Sequence, residues 1–305
     1  MSEAKILVIC GPTACGKTRL AVAAARDLNG EIISADSRQV YRGMDIGTGK
    51  DLSEYSAGGE PVPYFCIDIA DPSESYTVRH FQRDCTAAIL DITRRGKLPI
   101  ICGGTGMYIE AVLRRYDIPP IPEDSDFRDS LMNEKLEVLD AKLKEADPKL
   151  WEETDRSTAK RIVRSLEIIA HRGEADISDP LEGLPPLKAL VIGVNPGREE
   201  TIRRIDKRLD ERLSSGMKAE VERLKNSGLS WERLDRFGME YRALSKFLRG
   251  QCTGSEMKRD LAISIHQLAK RQVTYFNGFP RRGIEMDWVT GESAGEVVES
   301  WRKFE

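Results

Sequence analysis

The residues best suited to chemistry lie close to the start of the chain, in the sequence Gly-Pro-Thr-Ala-Cys-Gly-Lys-Thr at positions 11–18. Their G-x-x-x-x-G-K-T spacing is typical of a phosphate-binding loop, in which backbone N–H groups point at phosphate oxygens. Glycines stand where a side chain would block that approach. Lys17 adds a positive charge, and the Thr18 hydroxyl is suited to bind Mg²⁺. The motif predicts a diphosphate site and leaves open which molecule carries the phosphates.

An acidic residue, Asp36, follows the second predicted strand at residues 31–35. Ligands of open α/β sheets bind in the crevice outside the carboxyl ends of the strands. Asp36 is therefore expected to act on a group bound beside the phosphate loop. Residues 44–50 are rich in glycine and polar side chains. They are predicted to form a loop that lines the site, with a plain surface turn as the alternative.

Apolar strands and amphipathic helices alternate around these motifs and must position them. Strands are predicted at residues 6–10, 31–35, 64–68, 98–102, 187–194 and 284–289. Helices are predicted at residues 19–26, 77–95, 239–248 and 255–276, after residue 198 and at the C-terminal end. This alternation predicts an α/β fold, a P-loop NTPase-like parallel sheet flanked by helices.

The alternation stops at the proline-rich residues 119–122, and residues 124–172 have helical patterns without a strand. We therefore expect a small all-helical insertion domain. The predicted domains are a first P-loop core segment at 1–118, the insertion at 119–185, and a core completion with basic C-terminal helices at 186–305.

The composition indicates a soluble globular protein, with 40% hydrophobic and 32% charged residues among 305. No apolar run approaches the ~20 residues needed to cross a membrane, so no membrane partner is expected. The chain enters a predicted strand almost at once, so we expect no signal peptide and a cytoplasmic location. We expect the protein to be a monomer.

The six cysteines form no C-x-x-C pair and have no histidine partner at zinc spacing, so no zinc site is predicted. Cys10, Cys66 and Cys102 lie in apolar runs and are predicted to be small core residues. Cys15 lies in the phosphate loop at a helix N-terminus, where its pKa would fall and oxidation would be easier. A passive small residue is the favoured interpretation of Cys15.

The net charge of −3 and the pI near 5.9 argue against a general nucleic-acid binder. Residues 242–282 nevertheless carry a clear excess of basic side chains. The basic residues are Arg242, Lys246, Arg249, Lys258, Arg259, Lys270, Arg271, Arg281 and Arg282, against Glu256 and Asp260. Such an excess fits a footprint on a phosphate backbone, or a solvated helix face, and charge alone does not decide between them.

A phosphate loop with an acidic residue opposite is also suited to a nucleotide kinase. Kinases and ATPases normally hold Mg²⁺ with an acid at the end of an apolar strand. The run before Asp36 is too polar to be such a strand, and the apolar strand at 98–102 is followed by glycine instead of an acidic residue. The sequence therefore contains a clear phosphate site without recognisable hydrolysis machinery.

Six sequence blocks spread over the chain carry a resemblance to a known family. They are Gly-Pro-Thr-Ala-Cys-Gly-Lys-Thr at 11–18, Asp-Ser-Arg-Gln-Val-Tyr at 36–41, Asp-Ile-Gly-Thr-Gly-Lys at 45–50, Ile-Asp-Ile-Ala-Asp-Pro at 67–72, Gly-Gly-Thr-Gly-Met-Tyr at 103–108 and Ala-Lys-Arg-Gln-Val-Thr at 269–274. In this order they resemble the tRNA dimethylallyltransferase (tRNA isopentenyltransferase) family over nearly the whole chain.

The resemblance implies transfer of the dimethylallyl group from dimethylallyl diphosphate to N6 of the adenine immediately 3′ of the anticodon. The implied partners are dimethylallyl diphosphate and tRNA, through its anticodon stem-loop. The implied catalytic residues are Asp36, Thr13, Lys17 and Arg204. The implied diphosphate contacts are Gly11, Thr13, Ala14, Cys15, Gly16, Lys17, Thr18 and Arg208, with Thr18 as a ligand of Mg²⁺. The implied tRNA contacts are Ser37, Gln39, Gly104, Thr105, Arg161, Lys270, Arg271 and Gln272. For Gln39 the alternative is that its side chain forms hydrogen bonds within its own loop.

Four places depart from the usual pattern of that family. Tyr64-Phe65 replaces two histidines, Ser157-Thr158 replaces Asn-Asp, Ile265-His266 replaces Thr-Arg, and Thr274-Tyr275 replaces Thr-Trp. These changes affect surfaces expected to touch RNA and leave the residues of the chemistry intact. Three alternatives stay open: an adenylate isopentenyltransferase acting on free AMP, ADP or ATP, a P-loop nucleotide kinase, and a non-catalytic RNA-binding module.

Overall fold

A parallel sheet forms the centre of the protein in a computed structural model that describes residues 3–121, 123–172, 178–291 and 293–305. Its strands are β1 (Ala4–Cys10), β2 (Gly30–Ser34), β3 (Tyr64–Phe65), β4 (Leu98–Gly103), β5 (Leu187–Val194) and β6 (Asp287–Val289). They lie in the order β3-β2-β4-β1-β5-β6, and each neighbouring pair is parallel. The predicted α/β class, with a P-loop NTPase-like parallel sheet, is confirmed.

The central strands are continuous apolar runs because both faces of the sheet are covered. β1 lies between β4 and β5 and is paired along most of its length. Ile6 and Val8 pack into the apolar cluster on one face, whereas Leu7 and Ile9 pack into the cluster on the other. This alternation is the one that a strand imposes on successive side chains. β1 therefore holds the start of the phosphate loop in a rigid core.

Two predicted strands are shorter than expected, and both lie at edges of the sheet. The predicted strand 64–68 forms only at Tyr64–Phe65. Cys66 and Asp68 adopt φ values of 62° and 57°, and this left-handed backbone cannot continue a strand. The predicted strand 284–289 forms only over the last three residues of that range.

The first helices are α1 (Lys17–Asp27), α2 (Val78–Arg94) and α3 (Gly106–Leu113). α1 begins inside the phosphate motif, and α3 begins inside the Gly-Gly-Thr-Gly motif. Each motif therefore joins the carboxyl end of a strand to a helix N-terminus, which is where anions bind most readily. Thr77 caps α2 and forms a capping box with His80.

Residues Asp117–Asp179 form a compact helical unit of their own. Its helices are α4 (Ser125–Leu131), α5 (Leu136–Ala146), α6 (Pro148–Glu153) and α7 (Ala159–Ala170). Leu139 and Leu143 are fully buried in its apolar core. The predicted insertion, 119–185, starts inside this unit and ends inside the other one. That second unit comprises Met1–Tyr116 and Pro180–Glu305.

The remaining helices are α8 (Arg198–Ser214), α9 (Met217–Asn226), α10 (Trp231–Arg236), α11 (Met239–Leu248), α12 (Gly254–Asn277) and α13 (Ala294–Phe304). The sequence did not predict α9 and α10. Their side chains join Tyr41 and Met44 in a third apolar cluster with α8, α11 and α12. This cluster holds the segment after Asp36 in place. Across the described ranges, no helix has the length and apolar character needed to cross a membrane.

All six cysteines lie in the described ranges and are free, and Cys252 is the one that is not buried. Cys10, Cys66 and Cys102 are core residues, as predicted, although Cys66 lies just beyond β3. Burial raises the pKa of the Cys66 and Cys102 thiols to about 12. Cys15 is 1% exposed and packs in an apolar cluster, which favours its passive interpretation.

Candidate functional site

The phosphate loop connects β1 to α1 through close backbone packing and a left-handed backbone conformation, and both restrict which residue types fit there. A Cβ atom at Gly11 would lie 2.4 Å from the carbonyl oxygen of Val194. Ala14 has a φ of 60°, in the left-handed region that non-glycine residues rarely adopt. Backbone of this kind can turn successive N–H groups to one side and form an anion-binding nest. Lys17 donates from Nζ to the Pro12 carbonyl oxygen at 3.1 Å, so its ammonium is held over the loop.

Asp36 lies directly beyond β2, beside the turn that follows β4. The Thr105 N–H donates to the Ala35 carbonyl oxygen at 3.1 Å, and the Ser37 N–H donates to Thr105 Oγ1, also at 3.1 Å. These bonds fix the backbone on both sides of Asp36. Its Oδ1 accepts a hydrogen bond from the Arg38 N–H at 2.9 Å, which orients the carboxylate.

A cavity of about 350 Å³ lies at the carboxyl edge of the sheet. The predicted site residues that line it are Thr13, Lys17, Thr18, Asp36, Ser37, Gln39, Gly104, Thr105, Arg208 and Gln272. Apolar and aromatic side chains complete its wall, namely Tyr55, Phe237, Met239, Tyr241 and Leu268. Such a mixed wall can hold an anionic group and an apolar group together.

A larger groove, of about 910 Å³, also borders the phosphate loop. The predicted residues along it are Ala14, Gly16, Arg204 and Arg208. Arg204 donates from Nη1 to the Cys15 carbonyl oxygen at 3.1 Å and from Nε to Glu200 at 2.6 Å. Arg208 lines both the groove and the cavity. The structure thus places Arg204 against the phosphate loop, and Arg208 in the wall of both the cavity and the groove, where it contacts Gly49 and Asp51.

A third arginine of α8, Arg212, also lines the cavity and was not predicted. Its Nη2 lies 3.5 Å from a carboxylate oxygen of Asp51, which Arg208 also contacts. Burial and, to a smaller extent, the charge of Arg208 lower the pKa of Arg212 to about 10. Arg212 still carries its charge at neutral pH. The four-residue spacing of Arg204, Arg208 and Arg212, which puts them on one helix face, is the sequence signal that would have found it.

Glu240, near the start of α11, is a second unpredicted residue of the cavity wall. Burial raises its pKa; the charge of Arg212 acts against this shift, and the charge of Asp36 adds to it. In the described part of the chain no lysine or arginine forms an ion pair with it. Glu240 therefore binds a proton more readily than an exposed glutamate. Its local sequence, Phe-Gly-Met-Glu, gives no sign of a polar site.

The predicted site-lining loop at 44–50 does contribute to the cavity wall, through Gly47, Thr48 and Gly49. Glu220 of α9 accepts hydrogen bonds from the three N–H groups of residues 45–47, at 2.8, 2.8 and 3.0 Å. The Tyr241 hydroxyl donates to the same carboxylate at 2.7 Å. Glu220 was missed because it acts on backbone far away in the sequence.

Two of the predicted tRNA contacts are glutamines whose amides are already bonded within the protein. Ser34 donates to Gln39 Oε1 at 3.0 Å, and Gln39 Nε2 donates to the Gly49 carbonyl oxygen at 3.1 Å. These bonds match the alternative interpretation of Gln39, in which its side chain forms hydrogen bonds within the protein's own loop and not with RNA. Gln272 is likewise bonded, to two loops of the site. Their contacts with tRNA stay predictions.

The basic stretch at 242–282 divides into paired and unpaired residues. Its members paired with carboxylates are Arg249 with Asp235, Lys258 with Asp210, Arg259 with Asp260, and Arg282 with Glu110. Lys270 and Arg271 are exposed on α12 and form no ion pair with any described residue. They are therefore available to an external anion. Arg161, in the separate helical unit, lies 2.5 Å from Asp155.

The comparison with known families covers most of the chain. A family model described as IPP transferase matches residues 39–279. The chain belongs to the IPP transferase family. A second model, described as Isopentenyl transferase, matches residues 4–60, which contain the phosphate loop and Asp36.

Curated relatives of the chain share nearly half of its residues. It is 49% identical to tRNA dimethylallyltransferase 2 of Pelobacter propionicus, over 97% of this chain and 93% of the relative. It is 46% identical to tRNA dimethylallyltransferase 1 of Syntrophus aciditrophicus, over 94% of each chain. The predicted family is confirmed, and these names favour a prenyltransferase over a nucleotide kinase.

Solved structures agree with this assignment. A tRNA isopentenylpyrophosphate transferase from Bacillus halodurans is 32% identical, with a TM-score of 0.72 over 99% of this chain and 97% of that one. A eukaryotic dimethylallyltransferase acting on tRNA is 26% identical, with a TM-score of 0.74 over 99% of this chain and 78% of that one. The chain thus has the fold of enzymes that are named for prenyl transfer to tRNA.

Proposed function

We propose that this protein transfers the dimethylallyl group of dimethylallyl diphosphate to N6 of the adenine immediately 3′ of the anticodon in tRNA, releasing pyrophosphate. The observation that carries the proposal is the placement of Asp36 and Lys17 in the wall of one cavity. A base at the nucleophile and a cation at the leaving group are what displacement at an allylic carbon requires. The names of the relatives support the same reaction.

Asp36 acts as the general base in this scheme. Its Oδ1 is held by the Arg38 N–H, which leaves Oδ2 to accept a hydrogen bond from the N6 amine. As nitrogen attacks C1 of the dimethylallyl group, the N–C bond forms and the C1–O bond breaks. The bonding electrons leave with pyrophosphate, and the N6 proton passes to Asp36.

The phosphate loop stabilises the charge that develops on pyrophosphate. Its N–H groups and the Lys17 ammonium are fixed before the reaction, so little reorganisation is needed as charge appears. The Thr13 hydroxyl lies in the same cavity wall. Arg204 and Arg208 add positive charge along the loop. Gly11, Ala14, Cys15 and Gly16 contribute backbone rather than side chains.

Magnesium is the proposed cofactor, with the Thr18 hydroxyl as its protein ligand. No group of three or more His, Cys, Asp or Glu side chains in the described ranges could hold a metal by itself. Mg²⁺ bound to phosphates commonly keeps several waters and takes few protein ligands, so a single hydroxyl in the cavity wall fits it. The ion would supply further positive charge to the diphosphate.

The adenine must leave its base stack to reach Asp36, as bases do in other enzymes that modify them. Ser37, Gln39, Gly104, Thr105 and Gln272 border the cavity that would receive it. Lys270 and Arg271 offer charge to the RNA backbone outside it, and Arg161 of the helical unit is proposed to do the same. The proposed acceptor is thus the anticodon stem-loop, and the enzyme would act as a cytoplasmic monomer.

The test offers labelled dimethylallyl diphosphate to the purified protein with unmodified tRNA, AMP or ATP. We expect label on tRNA, loss of transfer in Asp36→Asn, and full transfer in Asp71→Asn. Asp71 is a suitable control because its Oδ1 accepts from the Ser73 N–H at 2.8 Å in an exposed turn, which asparagine preserves. Transfer to AMP alone, or phosphoryl transfer from ATP, would refute the proposal.

A further inference from the structure

Among the described residues, two carboxyl groups line the cavity at the carboxyl edge of the sheet, those of Asp36 and Glu240. Asp36 is the general base of the proposed reaction, whereas Glu240 has no role in it. Glu240 is half-buried and forms no ion pair with a lysine or arginine that the structure describes. A carboxyl group that faces a cavity without such a partner is a candidate for contact with a ligand.

Glu240 lies toward the end of the cavity that is remote from the phosphate loop. Arg204 of α8 contacts this loop, and Arg212 follows eight residues later, about 12 Å farther along the helix axis. Residues 47–49 contact Arg212 at one end and Tyr241, the neighbour of Glu240, at the other. A diphosphate held by the loop therefore leaves the end near Glu240 to the second substrate.

The wall beside Glu240 suits a flat, mostly apolar group. Phe237, Met239 and Tyr241 line the cavity on either side of it in the sequence. The Tyr241 hydroxyl donates to Glu220 at 2.7 Å and is thus already used within the protein. Enzymes that act on an unstacked base enclose it between apolar or aromatic side chains and read its edge with a few polar groups. Glu240 is a polar group in such a position.

The Glu240 carboxyl group is suited to donate a hydrogen bond. A Cβ atom at Gly238 would lie 3.4 Å from Glu240 Oε2 and 3.7 Å from Arg38 Nε, so the two side chains meet beside Gly238 in the cavity wall. Burial raises the pKa of Glu240, and the charge of Asp36 adds to this shift. Two carboxyl groups in unlike environments can take opposite roles, one as an acceptor and the other as a donor.

Adenine presents a hydrogen-bond acceptor on each side of its N6 amine, the ring nitrogens N1 and N7. We propose that Glu240 reads the acceptor base, donating a hydrogen bond from its protonated carboxyl group to N1 or N7 while Asp36 accepts one from N6. The inference rests on the proposed function. Hydrogen bonds to two neighbouring atoms of one edge fix the base in its own plane, so that N6 is held toward the carbon it attacks.

The test uses stem-loop RNAs in which 1-deazaadenosine or 7-deazaadenosine replaces the reacting adenosine, so that one ring nitrogen becomes C–H. With saturating labelled dimethylallyl diphosphate, the wild-type kcat/KM should fall roughly 5- to 100-fold for one of the two analogues, because the donor loses its partner. Glu240→Leu should react slowly with adenosine and lose nothing further with that analogue. Glu240→Gln, whose amide still donates, should keep most of the wild-type loss.

Comparing two enzymes on the same analogue cancels the analogue's own change in reactivity. Glu232→Leu, at an exposed position of α10, is the control and should show the full wild-type loss. If Glu240→Leu fails to fold, as judged by thermal unfolding, Glu240→Met replaces it.

Three results would overturn the inference. The first is a wild-type enzyme that loses nothing with either analogue, and the second is an equal loss in the wild type and the apolar variant, which would assign the ring nitrogen to another donor such as Arg38. The third is a Glu240→Gln variant that behaves like Glu240→Leu. Absence of transfer to any RNA by the wild type would instead refute the function on which the inference rests.

Discussion

Arg204 donates a hydrogen bond to the carbonyl oxygen of Cys15 over 3.1 Å, across 189 positions of sequence. The bond ties α8 to the middle of the phosphate loop. Arg204 is held from its other side by Glu200, one turn earlier on α8. Arg203, the adjacent residue, reaches the same Glu200 and lines the same groove, but it is exposed and forms no hydrogen bond with a described residue of the loop. The two arginines form a matched pair for testing.

Arg204→Gln should lower kcat/KM for dimethylallyl diphosphate by roughly 10- to 100-fold, because a cation beside the developing pyrophosphate is lost. Arg203→Gln should change it by less than about twofold, since its ion pair is on the surface. Steady-state kinetics at saturating tRNA would decide. Equal losses in the two variants would mean that α8 acts through its overall charge, not through a contact of Arg204 with the loop.

Lys17→Ala should reduce kcat by about 10²–10³-fold through lost stabilisation of the leaving group. The affinity for tRNA, measured without the diphosphate, should not change, because Lys17 lies inside the cavity. Single-turnover kinetics and filter binding give the two quantities. An unchanged kcat would remove Lys17 from the proposed mechanism.

Replacing Lys270 and Arg271 together by alanine should reduce the dependence of tRNA binding on salt. Each phosphate contact that is lost lowers the slope of log K against log[salt] by roughly 0.7–0.9. The control replaces Lys258 and Arg259, which lie on the same helix but are paired with carboxylates. If both double variants keep the wild-type slope, the excess charge of α12 is only a solvated surface.

Glu240→Gln should raise the free energy of unfolding, and more so at pH 8 than at pH 5. The folded-state pKa of Glu240 is raised above 4.5, so ionisation costs more in the folded protein than in the unfolded chain. That cost grows as the pH rises from about 4.5 through the folded-state pKa. Urea unfolding at both pH values measures it. Glu60→Gln, at an exposed position, should show no such trend.

Glu31→Gln should destabilise the fold at neutral pH. The Glu31 carboxylate is 2% exposed and lies against Arg95 and Lys97, whose hydrogen bonds lower its pKa. Because both cations are about one-third exposed, we expect a loss of only about 1–2 kcal/mol. The contribution of the Glu31 carboxylate to the free energy of unfolding should be complete above about pH 4.5. It should disappear as the pH falls through the folded-state pKa of Glu31. Glu299→Gln, which removes a surface ion pair with Lys303, should lower the free energy of unfolding far less.

The parts of the fold that depend on local sequence were predicted well. The apolar strands, the phosphate loop and the long helices all have a pattern that spans a few neighbouring residues. The strand predicted at 64–68 fails because Cys66 and Asp68 adopt left-handed backbone, a conformation that is rare for cysteine and only occasional for aspartate. Helices α9 and α10 were missed because both are short, with ten and six residues, although Met217, Val221 and Leu224 of α9 do recur at helical spacing.

The residues that organise the site from a distance could not be predicted. Glu220 binds backbone N–H groups more than 170 positions earlier, with sequence separations of 175 and 174 for the first two. Glu240 becomes a site residue only because the fold brings the start of α11 to the cavity that Asp36 also lines. No local pattern encodes either relationship, since each depends on how distant elements pack. The catalytic candidates, by contrast, lie within short motifs.

The distribution of thiols makes the protein accessible to single-site spectroscopy without any mutation. Thiol-reactive dyes attack the thiolate, and burial shields five of the six cysteines, namely Cys10, Cys15, Cys66, Cys85 and Cys102. Burial also raises the pKa values of Cys10, Cys66, Cys85 and Cys102. Cys252, partly exposed in the turn between α11 and α12, is left as the position to label. A fluorophore there would stand at the base of the helix that carries Lys270 and Arg271, and its emission could follow the arrival of RNA in real time.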